Sequence, residues 1–405
     1  MLLNILRDRI YKMENNQERK LRIAMICDPM GSNKSGVVVS TLRFAKLLKE
    51  KGHHVIFIAA RSEEHKEHSF HNGIKTYRFR SIPIPKSDGW NLAFPTIREL
   101  VDIFKEEEIN VLHIILPMSA SIMAIKAARR LGIKIVAHSH SQPENLFMNM
   151  PKIIQPLLGN LWNKYLAWTY NKAEYLIYPT EMARNLLEKL GKEGQKSQVI
   201  SNGIDIEEFK PRPIDSDFYR KFNIPEDRIK FLFVGRLFPE KSIDTLIKSM
   251  PLIVNKFPDT HLMIVGGGYL RPKLEKLAIN LNVDKHTTFL GLVSEEDKVL
   301  AFNACDIFIL PSLAELEGMV VLEAMACGKP IIIGDAKMSA SRFFVNENGF
   351  LFKSKNPIDL AEKISKLVEN KELRKKMGRK SLEDSKEYDI NKSADKLEQV
   401  YYSIL

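Results

Sequence analysis

The chain alternates short, β-rich apolar runs with longer segments of helical pattern, and it does so twice, which restricts it to parallel sheets covered by helices. One set of runs falls at 22–27, 55–60, 111–116, 133–137, 175–178 and 198–200. A second falls at 230–234, 261–265, 287–290, 307–310, 330–333 and 349–352, with helical patterns at 242–256 and 295–303 between its members. At 405 residues with a hydrophobic fraction of 44%, the chain exceeds what one core usually serves, so two α/β domains follow. Asn202-Gly203, then Pro211 and Pro213, read as the linker. The expected division is an extension at 1–20, a first domain at 21–210, a second at 211–386, and a helix at 387–405 returning to the first. That helix carries a stripe of Tyr401, Tyr402 and Leu405 that must find cover. Doubly wound sheets bind ligands outside the carboxyl ends of their strands. Two in tandem are expected to face a shared cleft, with the chemistry just after strands.

Composition excludes several classes. Cys27, Cys305 and Cys327 are the only cysteines; odd in number and widely spaced, they suggest neither a disulfide framework nor a zinc site, and a reducing compartment fits. Apolar runs such as 331–333 fall far short of the roughly 20 residues of a membrane-spanning helix. A formal net charge of +11 calls for a phosphate-bearing partner: nucleotide, nucleic acid or anionic lipid. Nucleic acid is not favoured, because the chain has no finger spacing, no RNP-like aromatic string and no arginine-rich segment. Residues 1–20 carry Leu2, Leu3, Ile5, Leu6 and Ile10 among Arg7, Arg9 and Lys12. They lack the apolar core and cleavage site of a signal peptide, and read either as an amphipathic surface anchor or as a frayed extension. The expected location is cytoplasmic and peripheral, on the inner face of the membrane.

Two segments concentrate polar chemistry at strand ends. The run at 230–234 leads into Gly235-Arg236-Leu237-Phe238-Pro239-Glu240-Lys241, whose glycine admits close backbone approach and whose two cations can converge on one diphosphate. After the run at 307–310 comes a loop with Glu315, then Gly318-Met319-Val320 opening a helix of about two turns that Gly328 and Pro330 end. Backbone amides at Gly318, Met319 and Val320 favour an anion there. Glu315 in the loop and Glu323 in the helix suit sugar and ribose hydroxyls.

The segments together resemble the GT-B glycosyltransferases of the family-4 type, retaining enzymes that use nucleotide-activated sugars, from Leu21 onward. The resemblance implies two Rossmann-like domains facing an interdomain cleft, with Gly235, Arg236 and Lys241 on the donor diphosphate. It also implies Glu315 on sugar hydroxyls near the reaction centre and Glu323 on the ribose. Ser201-Asn202-Gly203-Ile204-Asp205 resembles the interdomain signature, and Gly266-Gly267-Gly268, represented at the site by Gly267, resembles the turn flanking the base. Near the first strand only Gly36 matches the family's glycine pair, Ser35 holding the other place. His140-Ser141-Gln142-Pro143-Glu144-Asn145 resembles the His-x-Gln-Pro-Glu-Asn pattern of members acting on diacylglycerol, which implies His140 beside the transferred sugar and Gln142, Glu144 and Asn145 toward the acceptor. His138 is expected on the opposite strand face as a packed core histidine. Two histidines without a third ligand at a recognisable spacing do not suggest metal.

The segment 151–170 mixes leucines, Trp162, Tyr165 and Trp168 with Lys152 and Lys164, which suits either a membrane interface or packing on the sheet. The expectation is therefore hexosyl transfer, glucose from UDP-glucose, to a lipid hydroxyl such as diacylglycerol, with His140, Glu315, Arg236 and Lys241 as catalytic residues. Neither cofactor nor metal is called for, and no oligomeric state is selected. The competing readings are the same chemistry on a cell-envelope saccharide or polyprenol-linked acceptor, a sugar-nucleotide epimerase or a phosphorylase on this architecture, and a lipid-binding regulator.

Overall fold

The computed structural model describes residues 20–31, 36–62, 68–84, 90–140, 153 and 155–405. They form two compact units: the described residues before 141 with 157–201 and 391–405, and 153, 155–156 and 202–390.

The first unit is built on β1 (Arg22–Ile26), α1 (Gly36–Glu50), β2 (His54–Ala60), β3 (Ser69–His71), β4 (Ile74–Phe79), β5 (Ser81–Pro83), β6 (Asn91–Ala93), α2 (Ile97–Glu106) and β7 (Val111–Ile114). It continues with α3 (Ser119–Leu131), β8 (Lys134–His138), α4 (Gln155–Tyr170), β9 (Tyr175–Tyr178), α5 (Glu181–Leu187) and β10 (Lys196–Val199). Eight strands share one sheet in the order β10-β9-β8-β7-β1-β2-β4-β3, parallel except for β3 against β4. Strands covered on both faces bury almost every residue, and β1 and β7 are accordingly apolar apart from Arg22 at the start of β1 and the buried His113 in β7. Helix α2 starts at a capping box, Thr96 accepting from the Glu99 amide while the Glu99 carboxylate accepts from Thr96. Strands β3 to β6 have no counterpart among the apolar runs of the sequence. β4 is interrupted by Lys75 and by Arg78, which is 1% exposed and donates from Nη1 to the carbonyls of Met30 at 2.9 Å and Ala60 at 3.1 Å.

The second unit contains α6 (Ser216–Phe222), β11 (Ile229–Val234), α7 (Ile243–Lys256), β12 (Thr260–Val265), α8 (Arg271–Asn280), β13 (Thr287–Gly291), α9 (Glu295–Ala304) and β14 (Ile307–Leu310). After it come β15 (Ala314–Glu315), α10 (Met319–Ala326), β16 (Ile331–Asp335), β17 (Met338–Ser339), β18 (Gly349–Lys353), α11 (Pro357–Glu369) and α12 (Lys371–Ser385). Its sheet is wholly parallel in the order β13-β12-β11-β14-β16-β18. By position within the unit this is 3-2-1-4-5-6, the doubly wound order whose ligand crevice opens between the central strands β11 and β14.

Two boundaries move from those expected at 210/211 and 386/387. The second unit already begins at Asn202, because Asn202 is bonded to Glu317, Ile204 bridges to Asp389, and Phe209 packs against Phe302 in the second core. The last helix, α13 (Ile390–Ile404), joins the first unit from Asn391 onward. Its buried stripe is Ala394, Leu397, Val400 and Tyr401, whereas Leu405, which follows the last helical residue Ile404, is 42% exposed. Lys51 and His53 hold the helix through Glu398, each at 2.7 Å.

Candidate active site

The second unit's polar groups gather where its topology opens. Gly235, at the end of β11, has φ +155, and Gly266, at the end of β12, has φ +133; a Cβ on Gly266 would lie 1.9 Å from the Gly235 carbonyl oxygen. Gly268 has φ +151, and a Cβ there would lie 2.6 Å from the Leu237 carbonyl oxygen, while the Leu237 amide donates to the Gly267 carbonyl at 2.7 Å. Two backbone turns thus pack directly on one another. Close approach is fixed by Gly266 and Gly268 rather than by Gly267, the residue singled out from sequence.

Beyond Gly235 the chain holds both cations in specific contacts. Arg236 donates from Nη2 to Glu240 at 3.1 Å and lies 4.8 Å from the centre of the Phe238 ring. Its side chain keeps 34% of its exposure, so the guanidinium stays available on one side. Lys241 reaches the loop after β14 and donates from Nζ to Glu315 Oε1 at 2.5 Å, with side-chain exposures of 14% and 12%. The Leu313 amide donates to the Glu240 carbonyl at 2.7 Å, a second tie between the same two loops. Arg236, Lys241 and Glu315 therefore belong to one loop pair flanking the central strands.

Helix α10 begins at Gly318, φ +89, with no side-chain cap. The first amides of a helix lack acceptors within it, and Gly318, Met319 and Val320 remain partly exposed, so this end presents donors and partial positive charge. A Cβ on Gly318 would meet Ser341 Oγ at 2.1 Å. Ser341 instead donates to the Glu317 carbonyl at 3.0 Å and pins the turn. Glu317 is 3% exposed and accepts from the Asn202 amide at 3.1 Å and from its Nδ2 at 2.6 Å. Glu323, 2% exposed, accepts from Lys298 Nζ at 3.2 Å on α9. Glu323 thus sits deeper than an open ribose-binding carboxylate, held by a cation the sequence did not single out. Glu317 and Lys298 escaped notice, and Asn202 was read only as part of the linker and interdomain signature, because Asn202 and Glu317 are 115 residues apart and Lys298 lies 25 before Glu323.

In the first unit His140 lies two residues past β8, partly exposed, with its ring centroid 4.0 Å from that of His138. His138 does not point to the opposite face, because residues two apart along an extended chain share a face. Both rings sit deep among protein atoms; burial pushes His140 down to about 3 and His138 well below the ordinary histidine value, so both are neutral imidazoles. Gly36 opens α1, exposed. Ser35, Lys152, Gln142, Glu144 and Asn145 lie outside the described residues. On α4 the exposed apolar positions are Leu157 (62%) and Leu161 (54%), beside exposed Lys164. Trp162 and Trp168, read from sequence as membrane-facing or packed on the sheet, are half-buried, with ring centroids 5.4 Å and 6.4 Å from that of Tyr165. Among the described residues no helix is long and apolar enough to cross a membrane, and no three His, Cys, Asp or Glu side chains group as a metal site.

Two family models divide nearly all of this chain: "Glycosyltransferase Family 4" matches residues 34–208 and "Glycosyl transferases group 1" matches residues 215–384. The chain is a GT-B glycosyltransferase. It is 25% identical over 319 residues to the alpha-monoglucosyldiacylglycerol synthase of Streptococcus pneumoniae, covering 77% of this chain and 70% of that one. Its fold is shared with sucrose-phosphate synthase from Thermosynechococcus elongatus, with TM-score 0.79, 20% identity, and coverage of 95% of this chain and 99% of that one. HepE of Anabaena in complex with UDP-glucose gives TM-score 0.74 at 19% identity, over 94% and 99% of the two chains. In such a glycosyltransferase a strand-end arginine, a lysine already committed to a carboxylate, and a free helix end form a place where a diphosphate and a carbohydrate can be bound side by side.

Proposed function

We propose that this glycosyltransferase moves a hexose, glucose from UDP-glucose, onto the hydroxyl of a membrane lipid such as diacylglycerol, with retention at the anomeric carbon and without a metal ion. The observation that carries the donor half is the Lys241–Glu315 contact between the loops after β11 and β14. A nucleotide sugar satisfies both partners at once: its phosphate oxygens replace the carboxylate at Lys241, and a sugar O–H replaces the ammonium at Glu315. Arg236 and the first amides of α10 complete the neutralisation of the leaving diphosphate, where negative charge grows in the transition state. Glu323 takes the ribose hydroxyls, releasing part of its contact with Lys298.

Retention follows if a donor phosphate oxygen accepts the acceptor's proton on the face the nucleotide leaves. The bond from anomeric carbon to phosphate oxygen breaks, and the bond to the acceptor oxygen forms on the same side. Glu315 then orients the sugar and steadies positive character at that carbon. His140, neutral, offers a hydrogen bond beside the transferred sugar and takes no proton.

The lipid half rests on three supports: the exposed Leu157 and Leu161 with Lys164 on α4, a net charge of +11, and similarity to a synthase named for a glucosyl diacylglycerol product. Such a surface suits peripheral attachment to the anionic inner face of a cell membrane. Incubating the protein with radiolabelled UDP-glucose and diacylglycerol liposomes, with oligosaccharide and polyprenol-linked acceptors in parallel, tests it. Label in a chloroform-soluble glucolipid supports the reading. Label in the saccharide or polyprenol product alone overturns the acceptor assignment while leaving the donor site intact.

A further inference from the structure

Beneath His140 the first unit stacks buried rings that the donor chemistry does not use. His113 on β7 and Tyr401 on α13 are fully buried, and His138 at the end of β8 is 1% exposed. His113 pairs in register with Val136, so His138, two residues further on, lies on the same sheet face one step along. The His113 and His138 rings are parallel, 9° between planes and 5.7 Å between centroids. His138 then meets His140 at 4.0 Å with a 31° tilt. At the far end the Tyr401 hydroxyl and His113 Nδ1 share a hydrogen bond of 2.6 Å, and the Tyr401 ring stands edge-on to His113 at 5.6 Å.

We propose that His113 and His138 are positioning residues: a column of imidazoles that sets the ring of His140 from beneath, anchored by Tyr401 of the last helix. This rests on the role proposed above for His140. The column has one anchored end. Neither nitrogen of His138 has a hydrogen-bond partner among the described residues, nor has His113 Nε2, so ring contact rather than a hydrogen-bond chain carries the constraint. Among the described residues the one hydrogen bond within the column is that of Tyr401, which fixes the rotation of His113 and, through ring contact, that of His138 and then His140. Misplacing a substrate-contacting group by about 1 Å can cost on the order of 10²-fold in rate. The column thus makes the C-terminal helix, which lies about 260 residues beyond His140 in sequence, a determinant of the site.

The test uses full-length protein labelled with 15N-histidine, reading ring nitrogen shifts together with kcat and donor KM. His138→Ala is expected to move the His140 ring shifts and lower kcat by about 10- to 100-fold with donor KM little changed. His138→Phe, which keeps a flat ring, is expected to return both most of the way. Tyr401→Phe, which removes only the hydroxyl, is expected to move the shifts of His113 and His140 together. Unchanged His140 shifts and kcat in folded His138→Ala overturn the proposal. If that variant does not fold, unchanged His140 shifts in Tyr401→Phe overturn it. Should His140→Ala itself turn over normally, the role of His140 falls, while the ring shifts still decide the column.

Discussion

Replacing Lys241 with Met isolates the charge in the donor site. The substitution keeps the length and apolar stem of the side chain and removes an ammonium that is 2.5 Å from Glu315. Loss of one positioned donor to developing charge usually lowers turnover by about 10²- to 10³-fold, about 2.7–4 kcal/mol. The same change strands the Glu315 carboxylate. For a fully buried pair the loss of one partner costs about 3–5 kcal/mol; with 14% and 12% of their exposure left, these side chains are expected to show about 2–3 kcal/mol. In a unit of this size that lowers Tm by about 4–12 °C. Lys241→Met with Glu315→Gln removes both charges, so most of the stability returns while turnover stays down by at least about 10²-fold. Initial rates of nucleotide release at saturating donor, paired with thermal unfolding, read the two effects separately. Turnover within about threefold of the parent in the double variant refutes the reasoning, because it leaves Lys241 as a structural partner of Glu315 only.

Gly266→Ala places a Cβ 1.9 Å from the Gly235 carbonyl at φ +133; thermal unfolding is expected to show a loss of about 2 kcal/mol or more, with donor KM rising as the loop moves. His113 is held near 3 by burial, against about 6.5 when unfolded, so the unfolded chain binds the extra proton and stability falls as pH drops below 6.5. Between pH 7 and 5 this removes about 2 kcal/mol, opposed by about 1 kcal/mol from buried Asp28, whose pKa is raised to about 6 and whose contribution is lost as pH rises from about 4 to 6. Tm measured at the two pH values is expected to fall on acidification, and to fall less in His113→Gln. Leu157→Asp with Leu161→Asp, at positions 62% and 54% exposed, is expected to leave Tm within a few degrees while weakening sedimentation with anionic vesicles by about 10²-fold or more.

The second sheet was legible almost strand for strand, since its members are covered on both faces and need no alternation to be recognised. β14, Ile-Phe-Ile-Leu, coincides with its apolar run, and β16 begins one residue later than its run. β4 was not legible: a strand that buries Arg78 and carries Lys75 breaks the pattern on which recognition depends. At the site, Arg236, Lys241 and Glu315 could be named because each lies in the segment that follows a central strand, β11 or β14, where doubly wound sheets gather ligands. Their neighbours could not be. Glu317 finds Asn202 across 115 residues, and the backbone contact that requires Gly266 exists only once β11 and β12 lie side by side. The placement of His138 was a local error of period, corrected by the alternation of an extended chain.

The central claim is that the loops after β11 and β14, with the start of α10, hold a nucleoside diphosphate. Calorimetric titration with UDP measures this without any assumption about acceptor. Binding at one site per chain is predicted, weakened about 10-fold or more by Arg236→Ala, as loss of a hydrogen bond to a charged group implies. UDP affinity identical in the parent and in Arg236→Ala would contradict the account.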